Sequence, residues 1–363
     1  MINRLGLIIA FVISLSQQSV AQNTFDAFKS LFTDPKSYII RQTTAALKID
    51  GSLDENSWAS AAWTDDFVDI EGSSKPIPAL KTRVKMLWND STLFVAAKLD
   101  EPDIWAYQKK HDDIIFHDND FEIFISPQGG SHQYFEIEIN ALNKIFDLYL
   151  PKPYRNGGDA LVSWDVKGLQ SAVSIDGKLN DASGKDRSWT VEMAIPFNSI
   201  KMGFSTTIPK EGTIWRINFS RVEWDTAYKN GKYVKATDAA GKTSPEHNWV
   251  WSPQGVINMH YPERWGYIQF TKKQSDVFKL PFAEELKKRL WLIYYSQKRF
   301  QQSNGRYAAS LEDLQIASVE EIGLQKVKLT LNATGRQFTA DVSAVDGESF
   351  MINDEGLITS IKK

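Results

Sequence analysis

The chain has 363 residues, no cysteine and a formal net charge of −3 at pH 7. This length is enough for roughly two domains, and the lack of cysteine excludes a disulfide framework and a lipid anchor on an amino-terminal cysteine. The small net charge gives no electrostatic reason to expect a nucleic acid as partner.

The first 21 residues have the composition of a secretory signal peptide. Arg4 precedes an apolar run from Leu5 to Leu15, and a polar stretch then ends in Ser19-Val20-Ala21. The apolar run is too short to span a membrane, and no second run of this kind follows. We therefore predict cleavage near Ala21 and a soluble mature protein that is periplasmic or secreted.

The chain then changes from a polar segment to a β-rich one. Residues 22–43 are polar and mixed, and we predict a lead-in with little core of its own. Over residues 44–272 short alternating runs separated by turn signals predict an antiparallel, jelly-roll-like β-sandwich. A short helix is expected after Leu53, with Asp54 as its cap. The predicted strands are Arg83 to Trp88, Leu93 to Leu99, Phe121 to Ile125, Tyr134 to Ile139, Trp189 to Ile195, Trp215 to Phe219 and Trp265 to Phe270.

The apolar period changes again after residue 272. Phe282, Leu286, Leu290 and Ile293 recur at intervals of three and four, which predicts an amphipathic helix that ends at Asn304-Gly305. Alternating runs between residues 326 and 361 follow it. We predict that residues 278–363 form a small α+β domain that serves packing or contact with a protein partner.

Two indoles stand in a polar, proline-marked loop, Asn248-Trp249-Val250-Trp251-Ser252-Pro253. An exposed indole can stack on the flat apolar face of a sugar ring while polar neighbours bind its hydroxyls. The alternative is that Trp249 and Trp251 are core residues, as most of the 12 tryptophans of this chain must be. The sequence leaves both interpretations open.

The densest polar cluster of the chain runs from His111 to Glu122. Asp118, Asp120 and Glu122 would share one face of an early-starting strand, and carboxylates so close repel one another unless something relieves them. The cluster fits a calcium site at Asp118 and Asp120, an edge that binds sugar hydroxyls, or a solvated loop with nothing bound. Since glycoside hydrolysis needs two carboxylates across a sugar, a hydrolase that uses acids of this cluster is a further alternative.

Two other groups of side chains are candidates for chemistry. Arg221, at the end of a predicted strand, is placed to bind sugar hydroxyls or a uronate carboxylate, or to pair with Glu223. Zinc would prefer His111, His117 or His132 with a carboxylate, but their spacing fits no known zinc pattern.

Several segments resemble, in the same order, the family 9 carbohydrate-binding modules. The resemblance covers nearly the whole predicted sandwich. The matching segments are Ile49-Asp50-Gly51-Ser52-Leu53-Asp54-Glu55-Asn56-Ser57-Trp58, Val84 to Asp90, Leu93 to Ala96, Asp120 to Ile125, Trp189 to Phe197 and Trp251 to Phe270.

The resemblance implies a module that clamps a terminal sugar between two aromatic rings, with calcium at structural sites. Phe116 and Trp251 stand where the family has these rings, and Glu122 matches a carboxylate that accepts hydroxyl protons. The family's arginine on the next strand has no counterpart, and Glu136 stands near its place. The predicted carbohydrate-binding residues are Phe116, His117, Glu122, Arg221, Trp249 and Trp251.

The sequence therefore predicts a secreted or periplasmic protein that binds a polysaccharide or oligosaccharide. The alternatives are a glycoside hydrolase and a protein-interaction scaffold that binds no sugar. We expect a role in polysaccharide utilisation. This type of sandwich also resembles the haem-carrying domains of some secreted oxidoreductases, for which Met193, Met259 and His260 are the candidate axial ligands.

Overall fold

The computed structural model describes residues 26–203, 208–273, 277–345 and 347–361. Within this part of the chain there are two compact units, residues 33–279 and residues 26–32 together with 280–361. The first is a β-sandwich and the second combines one long helix with a sheet, so the predicted fold class is confirmed. The predicted signal peptide and its cleavage near Ala21 lie outside the described residues.

The first unit consists of strands joined by turns and loops. Its short helix α1 (Asn56–Ser60) begins after Glu55, one residue beyond the predicted cap at Asp54. The strands are β1 (Ser37–Gln42), β2 (Val68–Asp69), β3 (Thr82–Trp88), β4 (Thr92–Asp100), β5 (Asp120–Ser126), β6 (Tyr134–Asn140), β7 (Ile145–Leu150), β8 (Gln170–Asp176), β9 (Ser188–Pro196), β10 (Ile214–Glu223), β11 (Thr226–Lys229), β12 (Lys232–Lys235), β13 (His247–Val250) and β14 (Gly266–Thr271).

Most of these strands follow one hydrogen-bonded path, β7-β6-β5-β10-β14-β1-β3-β4-β9-β8. Outside this path, β13 pairs with β10 and β2 pairs with β13. β11 and β12 form a separate hairpin. Neighbours are antiparallel except at β1, which is parallel to both β14 and β3. The two halves of the path enclose a common apolar core, to which Ile123 and Phe219 contribute from one half and Val95 and Val191 from the other.

Strand β1 corrects the prediction of a lead-in with little core. Tyr38 and Ile40 are buried, and residues 37–41 pair with residues 267–271 of β14. The alternation in this strand supplies one buried face, but the run is too short to stand out from its polar surroundings.

In strands β5 and β6, apolar and acidic side chains alternate and so lie on opposite faces of the sheet. Ile123 and Ile137 lie opposite each other and belong to the core. Glu122 and Glu138 are likewise paired, one residue earlier and later, and therefore lie on the other face of the sheet. One face of this hairpin is apolar and the other is acidic.

The second unit contains helix α2 (Phe282–Asn304), which buries Leu286, Leu290 and Ile293. The helix ends at Gly305, whose φ of 70° is the left-handed conformation that glycine adopts without strain. None of the helices in the described ranges has the length and apolar character needed to cross a membrane. The sheet runs in the order β15 (Val319–Ile322), β16 (Gln325–Ala333), β17 (Phe338–Ala344), β18 (Ser349–Asn353), β19 (Ile358–Ser360).

Candidate functional site

A cleft of about 690 Å³ opens in the first unit where β10 ends and β13 begins. One of its walls is the exposed Pro76-Ile77-Pro78 loop, in which Ile77 is 89% exposed. The lining residues are Asp69, residues 76–80, Glu101, Pro102, Asp103, Glu223, Trp224, Asp225, Thr226, His247 and Trp249.

Aromatic rings supply part of the cleft lining. Trp249 lies opposite Arg221 in the β10–β13 pair, and its ring stacks on that of His247 with 5.3 Å between centroids. Trp224 is half-buried, and its Nε1 donates a hydrogen bond of 2.9 Å to the backbone oxygen of Phe116. An indole held by such a bond keeps its orientation, and Lys235 Nζ lies over the Trp224 ring, 3.2 Å from its centroid.

Beneath these rings lies a network of buried charges centred on Arg221. Its Nη2 atom is 2.8 Å from a carboxylate oxygen of Glu101 and 2.8 Å from one of Glu223. Nη1 donates to the Thr82 hydroxyl at 3.1 Å and to the backbone oxygen of Asp100 at 2.9 Å. The amide of Asn119 donates to both glutamates, at 3.1 and 2.9 Å. The guanidinium is therefore fully occupied within the protein.

The electrostatics of the cleft are dominated by carboxylates. Burial lowers the pKa of Arg221, but attraction to Glu223 and Glu101 outweighs burial, so the pKa is raised and the guanidinium stays charged. Burial raises the pKa of Glu223 well above its usual range, against the attraction of Arg221, so this carboxyl holds a proton more readily than an exposed glutamate does. The cleft lining adds the carboxylates of Asp69, Asp103 and Asp225. Such a surface accepts hydrogen bonds readily and disfavours an anionic ligand.

The predicted clamp between Phe116 and Trp251 is wrong, because Trp251 is a core residue. Trp251 is 2% exposed, and its ring lies 5.9 Å from that of Phe219. The indole also fills the space above Gly266, where a Cβ atom would come within 2.4 Å of Cζ3 of Trp251. A buried indole offers no face to a ligand. Trp249, 6% exposed, keeps an edge on the cleft.

The other predicted sugar-binding residues are distributed over different surroundings. Phe116 and His117 are exposed on a single 3₁₀ turn, with their ring centroids 5.0 Å apart. Phe116 is not among the residues that line the cleft, but its backbone oxygen accepts the hydrogen bond from Trp224 Nε1. Arg221 lies beneath the cleft, whereas Glu122 is buried on the acidic face of β5. The structure thus brings Arg221 and Trp249 together and keeps Glu122 apart from the cleft lining.

The acidic face of β5 and β6 forms a separate buried cluster. Carboxylate oxygens of Asp120, Glu122 and Glu138 lie within 4.8 Å of one another. Burial raises the pKa of Glu122 to about 7 and those of Asp120 and Glu138 well above the usual range. Oδ2 of Asp120 and Oε2 of Glu136 have no hydrogen-bond partner among the described residues.

The predicted calcium ligands Asp118 and Asp120 have different surroundings. Oδ2 of Asp118 accepts hydrogen bonds from the backbone nitrogens of Tyr107 and Gln108 and from the Asn140 amide. Asp118 therefore anchors a loop and does not belong to the group of close carboxylates around Asp120. Calcium at Asp120 remains a prediction, with Glu122 and Glu138 as its neighbours.

The haem-ligand candidates lie in unrelated surroundings. Met193 is a core residue of β9. Met259 accepts a contact of 3.0 Å from the Gln254 amide, and His260 Nδ1 lies 3.0 Å from the Tyr134 hydroxyl. Burial lowers the pKa of His260 to about 4. Met259 and His260 thus contact other side chains of the protein, and Met193 belongs to a different apolar cluster from Met259.

Sequence reasoning did not single out Glu101, Trp224 or His247 as part of the site. Trp224 and His247 carried a usable signal, since each stands within three residues of a candidate, Arg221 or Trp249. Glu101 carried none, because it follows β4, which is distant from β10 along the strand path, and only the closed sandwich brings its side chain to Arg221.

Residues 49–272 match the family described as Carbohydrate family 9 binding domain-like. A family 9 module from Caldicellulosiruptor kristjanssonii, solved with glucose and with cellotriose, is 15% identical; the match covers 68% of this chain and 100% of the other, with a TM-score of 0.42 in each case. A Bacteroides uniformis ATCC 8492 protein, to which carbohydrate binding is provisionally ascribed, is 15% identical over 65% of this chain and 100% of the other, with a TM-score of 0.48. No curated protein matches the chain. The family match covers more than half of the sequence, and the chain belongs to the carbohydrate family 9 binding domain-like family.

Proposed function

We propose that this protein is exported and binds a carbohydrate in the cleft without changing it. The observation that carries the proposal is the half-buried ring of Trp224, with the edge of Trp249 and acidic side chains in the same cleft. A sugar ring can lay its apolar face on an indole while its hydroxyls donate to carboxylates. Membership of a family of carbohydrate-binding domains supports the same function.

The charges of the cleft favour a neutral sugar over a uronate. Arg221 donates its hydrogen bonds to oxygens of Thr82, Asp100, Glu101 and Glu223. This arginine is therefore not available to bind a carboxylate of a ligand. Asp69, Asp103 and Asp225 would repel such a group as well. We propose a short or terminal stretch of a neutral plant or algal polysaccharide as the ligand.

Calorimetric titration with neutral and uronic oligosaccharides tests the proposal. Trp224→Ala removes a ring from the cleft, and Trp63→Ala is the matched control because Trp63 is also half-buried but does not line the cleft. We expect Trp224→Ala to weaken binding of a neutral sugar and Trp63→Ala to leave it unchanged. Equal affinity of both variants and the parent would show that the sugar does not bind in the cleft.

A glycoside hydrolase is the second candidate function, and its test is separate. The acids that would act are those of the Asp118 to Glu122 segment, where Glu122 has a pKa raised to about 7 by burial and could hold a proton near neutral pH. Such an enzyme would release reducing sugar from a polysaccharide, and Glu122→Gln would abolish the release. Binding by the parent without any release supports a module that does not catalyse.

The export and the role of the second unit belong to the same proposal. A signal peptide cleaved near Ala21 predicts a mature protein that begins at Gln22, which amino-terminal sequencing of periplasmic or secreted protein measures. Residues 278–363 are proposed to contact a protein partner. A partner that co-purifies with the full chain but not with a chain ending at residue 279 would support that role.

A further inference from the structure

A second group of charged side chains lies at the edge strand β7, away from the cleft lining. His111, Asp112, Asp147 and Asp165 each offer one ligand atom, and these four atoms lie within 4.8 Å of one another. His111 Nε2 is 2.7 Å from an oxygen of Asp165, 3.5 Å from one of Asp112 and 3.7 Å from one of Asp147. The four residues come from three separate segments of the chain.

Asp147 gives the independent indication that this group holds a ligand. Its side chain is 2% exposed, and Oδ1, the atom that faces His111, has no hydrogen-bond partner among the described residues. A buried carboxylate oxygen left without a donor is costly, because it loses its hydrogen bonds to water and gains none in the protein. The other oxygen, Oδ2, accepts from the backbone nitrogen of Val166 at 2.5 Å. Asp147 is therefore held firmly with one oxygen directed at the histidine.

The backbone brings the other ligands to Asp147. The bond from Val166 to Asp147 places the preceding residue, Asp165, beside the same carboxylate. Asp112 has a φ of 63°, and its backbone nitrogen donates to Ile145 at the start of β7. Because neighbouring residues of an extended chain point in opposite directions, this left-handed turn allows His111 and Asp112 to face one point.

The distances suit a small divalent ion. Tetrahedral ligands at about 2.0–2.1 Å from a metal are about 3.3 Å from one another. The three distances from His111 Nε2, 2.7 to 3.7 Å, lie on both sides of that value. The imidazole favours a first-row transition ion over calcium, which prefers oxygen ligands alone.

We infer that His111, Asp112, Asp147 and Asp165 bind a divalent transition-metal ion, for which Zn²⁺ is the probe. The ion would fasten the loops that carry His111 and Asp165 to strand β7.

Titration of the chelator-treated full chain with ZnCl₂ tests the proposed site. We expect one Zn²⁺ per chain, at least tenfold weaker binding by His111→Ala and by Asp165→Asn, and unchanged binding by His247→Ala. His111 and Asp165 are exposed by 53% and 63%, so both variants should fold. His247 is a matched control, since it is exposed and pairs with Asp225 at 3.1 Å.

Co²⁺ in place of Zn²⁺ gives a second readout. We expect a visible absorption band in the parent and in His247→Ala, and its loss in His111→Ala and Asp165→Asn. Binding that His111→Ala does not weaken would overturn the site, as would the absence of stoichiometric binding in the parent. Sugar binding in the cleft is measured independently, so failure of one proposal leaves the other intact.

Discussion

Arg221 and Trp249 face each other across the β10–β13 pair, and Cζ of Arg221 lies 5.5 Å from the centroid of the Trp249 ring. The cation is fully buried, and its contact with the indole joins the charged floor of the cleft to the aromatic lining. A guanidinium over an indole is attracted by the negative face of the ring. The stability of the cleft and its affinity for a ligand should therefore respond to different substitutions.

Replacing Arg221 should destabilise the fold. Arg221→Met leaves Glu101 and Glu223 buried without their cation, and loss of one partner from a buried ion pair costs about 3–5 kcal/mol. Thermal unfolding measures the effect. The control is Arg187→Ala, which breaks an exposed pair with Asp176 and should change Tm little. A Tm of Arg221→Met equal to that of the parent would contradict the role of the network.

Replacing Trp224 should affect affinity in proportion to the ring surface that remains. We expect Trp224→Ala to weaken binding of a neutral oligosaccharide by about 2 kcal/mol and Trp224→Phe by less, because phenylalanine keeps a smaller ring. Calorimetric titration gives both values. Trp251→Ala is unsuitable for this purpose, since Trp251 is buried in the core and its loss would perturb folding.

Gly266 should tolerate no side chain. The Cβ of Gly266→Ala would lie 2.4 Å from Cζ3 and 2.8 Å from Cη2 of Trp251, which is closer than packed atoms approach. Overpacking of this kind costs about 1–3 kcal/mol, which chemical unfolding measures. At Gly130 the nearest atom to such a Cβ is 4.0 Å away, so Gly130→Ala is the control and should be near neutral.

Stability should fall between pH 5 and pH 8 in the presence of a chelator. Burial raises the pKa of Glu122 from its usual value of 4.5 to about 7, so the folded protein holds this proton more tightly than the unfolded chain does. The resulting stabilisation is complete below the unfolded pKa and is lost as the pH rises through the folded one. Glu138→Gln removes an acid that also has a raised pKa and should flatten the profile. Asp54→Asn, at an exposed position, should keep the slope of the parent.

Calcium at the acidic face of β5 and β6 makes a different prediction. An ion held by Asp120, Glu122 and Glu138 would replace protons there, and we expect CaCl₂ at pH 8 to raise the Tm of the parent above its value in chelator. Glu138→Gln should lose this response, whereas His111→Ala should retain it. Equal Tm values of the parent with and without calcium would contradict a calcium site here. Protonation would then be what reduces the repulsion between these carboxylates.

Local pattern was enough to predict much of the fold. The predicted strand Tyr134 to Ile139 is one residue shorter than β6, and the predicted helix end at Asn304-Gly305 is where α2 ends. Alternation and a left-handed glycine are signals carried by neighbouring residues. β1 was missed because its pairing with β14 depends on residues that are distant in the sequence.

The site could be predicted only in part. Trp249 and Trp251 are two residues apart, and nothing in the local sequence shows that the indole of Trp251 fills the space at Gly266. The partners of Arg221 illustrate the same limit: Glu223 is two residues away and was proposed, while Glu101 is 120 residues away and was not. Likewise, no spacing rule joins His111 to Asp165, 54 residues later.

The parallel strand β1 has a practical consequence for anyone who dissects this protein. It stands between β14 and β3, so it is the link through which the two halves of the sheet are hydrogen-bonded. A fragment cut at residue 44, where composition alone would start the sandwich, lacks that link and leaves edges on β14 and β3 open to intermolecular pairing. During synthesis β1 cannot pair with β14 until Tyr267 and its neighbours have been made. The two halves of the sandwich are therefore joined late in folding.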